Sequence, residues 1–222
     1  MSRFLRLLTD NDKAEALATA CARVRDEASE LRAYELDPES FKAVPGEPFA
    51  YWVSEAVRKT FTRLPRFEGD GRTVKQGLAT ADDFRFVRLW WESDTSGVEE
   101  KWVPFVKGGS YSPFYSDVSF AVNWSNTGAE ICNFVNPRTG KLYSRPQNIQ
   151  YYCRAGFTWP LRGTRLSSQA VPVGCIFSIA GKMAFLPADE LEPWLAIFNS
   201  NAFDYFVRMF AGNVGGAQYE VG

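Results

Sequence analysis

The chain has 222 residues, 45% of them hydrophobic, which is enough for one large domain or for a smaller arm joined to a domain, and which excludes a wholly disordered polypeptide. Histidine is absent, so Ser/His/Asp and Cys/His nucleophilic machinery and His-ligated metals are excluded together. The net charge of −1 argues against nucleic acid until its distribution is read: residues 101–182 hold nine Lys and Arg against two Asp and Glu, a local +7, while the segments on either side are acidic.

No run of about 18 apolar residues occurs, and the opening Met1-Ser2-Arg3-Phe4-Leu5-Arg6-Leu7-Leu8 meets Thr9-Asp10 too early for a signal peptide. The expectation is a soluble cytoplasmic protein with no membrane partner. Cys21, Cys132, Cys153 and Cys175 form no CxxC, so a zinc site is not expected and buried reduced thiols are. A Cys153–Cys175 bridge would suit a secreted protein, for which nothing else argues.

In chain order, the spacing of Leu17, Cys21, Val24, Ala28 and Leu31 predicts an amphipathic helix over residues 13–35, capped by Asp10-Asn11-Asp12 and ended at Asp37-Pro38. Phe41 to Phe61 reads as a stiff Pro-Gly-Pro hinge followed by a short helix that starts at Pro48. Lys75-Gln76-Gly77 then leads through a Thr/Asp turn into Phe84 to Trp90, whose imperfect alternation predicts a half-buried strand. An ordinary turn before an ordinary strand is the plainer alternative.

From Lys101 onward, short aromatic strands broken by glycine are expected within 101–111, 120–124, 130–134, 154–159 (led into by Asn148 to Cys153) and 173–181, with a closing helix from Glu190 to Asn199 continued to Phe210. The fold class is therefore α+β: an N-terminal helical arm and aromatic hinge over 1–60, then a β-rich mixed domain over 61–222 with a C-terminal helix.

Two stretches carry candidate chemistry. Lys107-Gly108-Gly109-Ser110 has the makings of a small anion cradle, bare amides beside a lysine, or of a glycine hairpin turn. Arg154, Thr158, Trp159, Arg162 and Arg165 lie in sixteen residues with no acidic side chain. Arginines there can meet phosphates or guanine edges, and an exposed aromatic can stack on a base. A polar loop between strands is the alternative. Glu99-Glu100-Lys101 with Asp94 is a poor match to a nuclease site, and Asn136-Pro137-Arg138-Thr139 reads as a turn.

The residues quoted above, with Val44-Pro45-Gly46 to Ser54, Gln76-Gly77-Leu78-Ala79-Thr80 to Trp90, Trp102 to Gly109, Gly156-Phe157-Thr158-Trp159, Ile176-Phe177, Phe198-Asn199-Ser200 and Gln218-Tyr219-Glu220, resemble the adenine-specific DNA methyltransferases of BREX phage-defence systems, the PglX family. Type IIG restriction-modification enzymes are similar more distantly. The match spans most of residues 40–222, the hinge and target-recognition region.

The chain departs from the family at Ala81 and Asp83, where Gly and Asn are usual, and only a short stretch stands before the hinge, where the family has its catalytic domain. No S-adenosylmethionine loop and no Asn-Pro-Pro-aromatic motif is present, so the resemblance implies that cofactor for the full-length enzyme and none here. What it implies for this chain is a fragment or split subunit that binds double-stranded DNA, partnered by a methyltransferase catalytic domain or another defence-system subunit. The DNA-facing residues expected are Lys75, Gln76, Gly77, Thr80, Arg85, Lys107, Gly108, Gly109, Arg154, Thr158, Trp159, Arg162 and Arg165, with no catalytic or metal-binding residue. The alternatives are an interaction module docking through Leu17, Val24, Leu31 and the Pro45–Trp52 hinge, and a carbohydrate-binding β domain, in which the clustered charge would have no purpose.

Overall fold

The structure is a computed structural model that describes residues 1–93, 101–211 and 217–219. The chain divides into two compact units, Met1–Arg66 and Phe67–Gly222.

In the first unit, β1 (Ser2–Leu5) precedes α1 (Lys13–Arg25), whose first turn is capped by Asp12: its Oδ1 accepts from the Ala14 and Glu15 amides at 2.9 and 3.0 Å. The helix stops near Arg25, well short of the expected residue 35. Glu27 takes φ +54, the Arg23 guanidinium holds the Ser29 carbonyl, and the chain turns back into β2 (Ala33–Leu36), antiparallel to β1. Ala16 and Ala20 are the buried helix positions, and Leu31, read as part of the apolar face, is 92% exposed. Residues 33–36 are strand by virtue of pairing with β1, which the local pattern does not contain. Phe4 packs among Phe41, Phe49 and Tyr51 at ring distances of 5.1–5.9 Å, so the aromatic hinge is a small core. Pro48 lies in irregular chain outside any helix, and α2 (Glu55–Arg63) begins instead at the Ser54 cap.

The second unit runs β3 (Thr73–Lys75), α3 (Asp83–Phe86), β4 (Val87–Leu89), β5 (Trp102–Val106), β6 (Phe120–Asn123), α4 (Ser125–Cys132), β7 (Gly156–Thr158), β8 (Arg162–Gly163), β9 (Gln169–Val171), β10 (Ile176–Phe177), β11 (Met183–Phe185), α5 (Leu191–Phe198), α6 (Asn201–Ala211) and β12 (Ala217–Gln218). One four-stranded sheet has the order β10-β5-β6-β4, with β10 parallel to β5; the other, β3-β11-β7-β9, is antiparallel throughout. A two-stranded sheet pairs β8 with β12. Together with the helices this is the α+β mix expected, including its C-terminal helical segment.

Several strands are shorter than the sequence predicts. Asp82 accepts from the Arg85 amide and turns residues 83–86 into a helical turn, so only Val87–Leu89 pairs with β6. Residues 130–132 belong to α4, and of 173–181 only Ile176–Phe177 is strand. Along β11, Met183 and Phe185 enter one core with Leu78, Phe105 and Phe177, whereas Ala184 enters a second with Phe157, Trp159, Leu195 and Phe198. That alternation places a core on each face of the sheet, the second one lined by α5. No described helix is long and apolar enough to cross a membrane.

Candidate nucleic-acid interface

The register of β3 on β11 sets Lys75 opposite Met183 at the edge of the antiparallel sheet. From there residues 77–79 cross to the other sheet: the Leu78 amide donates to the Phe177 carbonyl at 2.8 Å, and Ala79 pairs with Arg145. Gln76, at the crossing, donates from Nε2 to Gln147 Oε1 at 3.0 Å, and its carbonyl accepts from Asn148 Nδ2 at 2.9 Å. These bonds fasten the 147–151 turn beside β3.

The turn delivers Tyr151. Lys75 Nζ stands 5.8 Å and Arg154 Cζ 5.1 Å from the centre of its ring, and Arg154 also lies 5.8 Å from Phe185. Arg154 is exposed and Lys75 half-buried, and neither has a carboxylate partner among the described residues. Two cations within 6 Å of the centre of one aromatic ring, beside three side-chain amides, supply groups that can meet phosphate and base edges. Tyr151, Gln147 and Asn148 are not among the DNA-facing residues the sequence suggests. Their only signal is a polar run after Pro146, and what brings them to Lys75 is a contact across more than seventy residues.

The other expected residues are placed differently. Gly77 is buried: a Cβ there would stand 1.9 Å from the Phe177 carbonyl oxygen, so its role is close backbone approach and it has no surface for DNA. Thr80 is buried too, its hydroxyl donating to Asp83. Asp83 also receives the Lys107 ammonium. Burial pushes its carboxyl up, but hydrogen bonds from Lys107 and Thr80 outweigh that and hold it below the ordinary value. Lys107 is therefore neutralised in place and is not the free phosphate contact expected. Arg85 is likewise committed, its Nε and Nη2 donating to Glu130 Oε1 at 3.0 and 2.8 Å.

Gly108 and Gly109 both have positive φ, +79 and +63. A Cβ on Gly108 would fall 2.6 Å from the Ala180 carbonyl oxygen and 2.8 Å from that of Trp159, so this glycine is a packing spacer. Gly109 is open, on the rim of a recess of about 60 Å³ lined with Lys107, Ser116, Thr158 and Gln169. Thr158 is buried with its hydroxyl on the Lys182 carbonyl at 2.8 Å. Trp159 is only 6% exposed and packs near Phe157 and Phe198, so its ring offers no face for stacking a base.

Arg162 is exposed on β8. Arg165 donates to Asn201 of α6, and Arg208 of the same helix donates to the Thr164 carbonyl. Among the described residues no side-chain hydrogen bond or ion pair joins this 162–165 group to Lys75 or Arg154. Asn136 Oδ1 accepts from the Arg138 and Thr139 amides at 2.8 and 3.1 Å, a closed turn. Asp94, Glu99, Glu100, Glu220 and Gly222 lie outside the described residues, and no group of three potential metal ligands occurs among those described.

By fold this is an α+β protein of two mixed-content units whose candidate surface is cationic and amide-rich. Sequence comparison is more specific. The chain is 26% identical over 195 residues, 80% of its length, to the adenine-specific methyltransferase PglX of Lacticaseibacillus casei (strain Zhang). It is 30% identical over 176 residues, 74% of its length, to the adenine-specific methyltransferase BrxX of Escherichia coli O9:H4 (strain HS). Both bear out the resemblance carried by the motifs. The chain spans 16% and 14% of those relatives' lengths, and no family model matches it.

Proposed function

We propose that this chain is the DNA-contacting, target-recognition part of a site-specific adenine-N6 DNA methyltransferase acting in phage defence or restriction-modification. The observation that carries the reading is the pairing of Lys75 and Arg154 on Tyr151, unopposed by carboxylates among the described residues and bordered by Gln76, Gln147 and Asn148. Cations set the chain on the phosphates, and amides are the side chains that match adenine's donor and acceptor edge. The similarity to two adenine-specific methyltransferases supports an adenine in duplex DNA as the target. Methyl transfer, and the S-adenosylmethionine it consumes, are assigned to a catalytic region other than this chain, which is its partner. The site of action on this reading is the cytoplasm.

The test is binding of the chain to a labelled DNA duplex at several salt concentrations. Affinity falls steeply with salt, and Lys75→Ala and Arg154→Ala each reduce the slope of log affinity against log salt by about one. Binding that ignores salt, or variants that leave the slope intact, would overturn the reading.

A second reading is a module that docks on a methyltransferase or other defence protein without touching DNA. It is favoured by Phe84, Trp90 and Trp91, exposed to 93%, 59% and 60% around β4. Co-purification with a methyltransferase, lost on Trp90→Ala and Trp91→Ala while DNA binding is absent throughout, would select it.

A further inference from the structure

The 151–154 turn meets residues 174–175 through two backbone hydrogen bonds: the Cys153 amide donates to the Cys175 carbonyl at 2.9 Å, and the Gly174 amide donates to the Cys153 carbonyl at 3.0 Å. Gly174 at φ +88 and Cys153 at φ +63 both take left-handed backbone, which folds the two segments against each other. The direct bond from the Cys153 amide to the Cys175 carbonyl holds the two Cα atoms within about 6.8 Å, by ordinary backbone bond lengths. Disulfides need about 4.4–6.8 Å. Both thiols are free, Cys153 exposed and Cys175 only 3% exposed. The Cys175 thiol is held above its ordinary value by burial and then by the neighbouring Cys153, which places the two groups in electrostatic reach.

We infer that Cys153 and Cys175 are a reversible dithiol couple that closes to an intramolecular disulfide on exposure to hydrogen peroxide. The exposed Cys153 is the sulfur an oxidant reaches first. Its thiolate attacks one peroxide oxygen, the O–O bond breaks, and Cys153 sulfenic acid forms with release of hydroxide. Cys175 sulfur then attacks Cys153 sulfur; the S–S bond forms, the S–O bond breaks, and the departing hydroxide leaves as water with the Cys175 proton. Two thiols and one peroxide become one disulfide and two waters. The bond would tie the turn that carries Tyr151 and Arg154 to the start of β10, so the redox state of the pair acts on the candidate surface from beneath. The couple itself stands whether or not that surface binds DNA.

The experiment treats the native full-length chain with hydrogen peroxide, blocks remaining thiols with N-ethylmaleimide after denaturation, and maps non-reduced peptides by mass spectrometry. Two of the four thiols should be lost to the label, with one peptide pair joined through Cys153 and Cys175, restored by a thiol reductant. Cys153→Ser should abolish the link, and its exposed position makes unchanged far-UV circular dichroism the expected control; Cys21→Ser should leave the link intact. Four thiols still labelled, Cys153 recovered only as sulfinic acid, or a link to Cys132 or Cys21 would each overturn the inference.

Discussion

The Gly77 backbone presses on the Phe177 carbonyl: a Cβ on Gly77 would lie 1.9 Å from the oxygen and 2.6 Å from the carbon behind it. The contact joins the two four-stranded sheets, because Leu78 donates to that same carbonyl and β10 pairs with β5 on its other side. Backbone atoms bound on both sides have no room to retreat. Gly77→Ala should therefore destabilise the chain by about 3 kcal/mol or more, at the upper end of overpacking costs. Equilibrium denaturation in urea measures it, and an unchanged midpoint would show that the sheets do not approach this closely in solution.

The ion pairs divide the cations into committed and available groups. Lys107 is held by Asp83 and Arg85 by Glu130, whereas Lys75 and Arg154 rest on an aromatic ring. Arg154→Ala should weaken duplex binding by about 1 kcal/mol or more, and Lys107→Ala by less than half of that, since Asp83 already offsets its charge. Asp83→Asn sharpens the contrast: freeing Lys107 should raise affinity. Fluorescence anisotropy at one fixed salt concentration compares all three.

Asn199 stitches α5 to the strand region before β9. Its Oδ1 accepts from the Ser168 amide at 2.8 Å, and its Nδ2 donates to the Ser168 and Leu195 carbonyls, both at 2.9 Å. Asn199→Ala strips the Ser168 amide and carbonyl of this partner in a mostly buried setting and should cost about 1–3 kcal/mol. Asn199→Asp should be worse than its shape implies, because a carboxylate oxygen replaces the donor that faces two carbonyls. Thermal melts of the two variants against the parent decide the order.

What was legible in the sequence followed from how local the cause was. The Asp12 and Asp82 turns, the aromatic strands at 102–106 and 120–123, and the helix around Trp194 to Phe198 are written in neighbouring residues. The α+β class followed from them, and the resemblance to adenine-specific methyltransferases rested on motifs that run through several of them. The end of α1 was not legible, because strand 33–36 exists only by pairing with residues 2–5. Of the three glycines expected to face a ligand, Gly77 and Gly108 are spacers against Phe177, Ala180 and Trp159, because a glycine needed for close approach looks the same whether the visitor is a ligand or the chain itself. Trp159 was expected outside and lies inside: composition counts aromatics but does not say which core they fill. Tyr151 escaped notice because its partners Lys75 and Arg154 become neighbours only once β3 pairs with β11.

Acid should loosen the first unit through Glu30. Its carboxylate, only 5% exposed, accepts from Arg32 Nε and Nη2, both at 2.8 Å, and from the Arg32 amide at 3.1 Å. Arg32 in turn reaches Asp10 at 3.1 Å, so the turn before β2 is tied back to the segment before α1. These bonds from Arg32, side chain first and amide second, pull the Glu30 carboxyl from an ordinary 4.5 down to about 2. In the unfolded chain Glu30 takes up its proton near pH 4.3, whereas in the fold it does so only near pH 2. Between those values the unfolded state binds more protons, so the contribution is complete above about pH 4.5, declines as pH falls, and is gone below about 2. Amide hydrogen exchange of residues 2–36 across this window should quicken with acid in the parent chain. Glu30→Gln should exchange faster at neutral pH and show a flatter acid dependence; an identical dependence in both proteins would mean that Glu30 does not hold this turn.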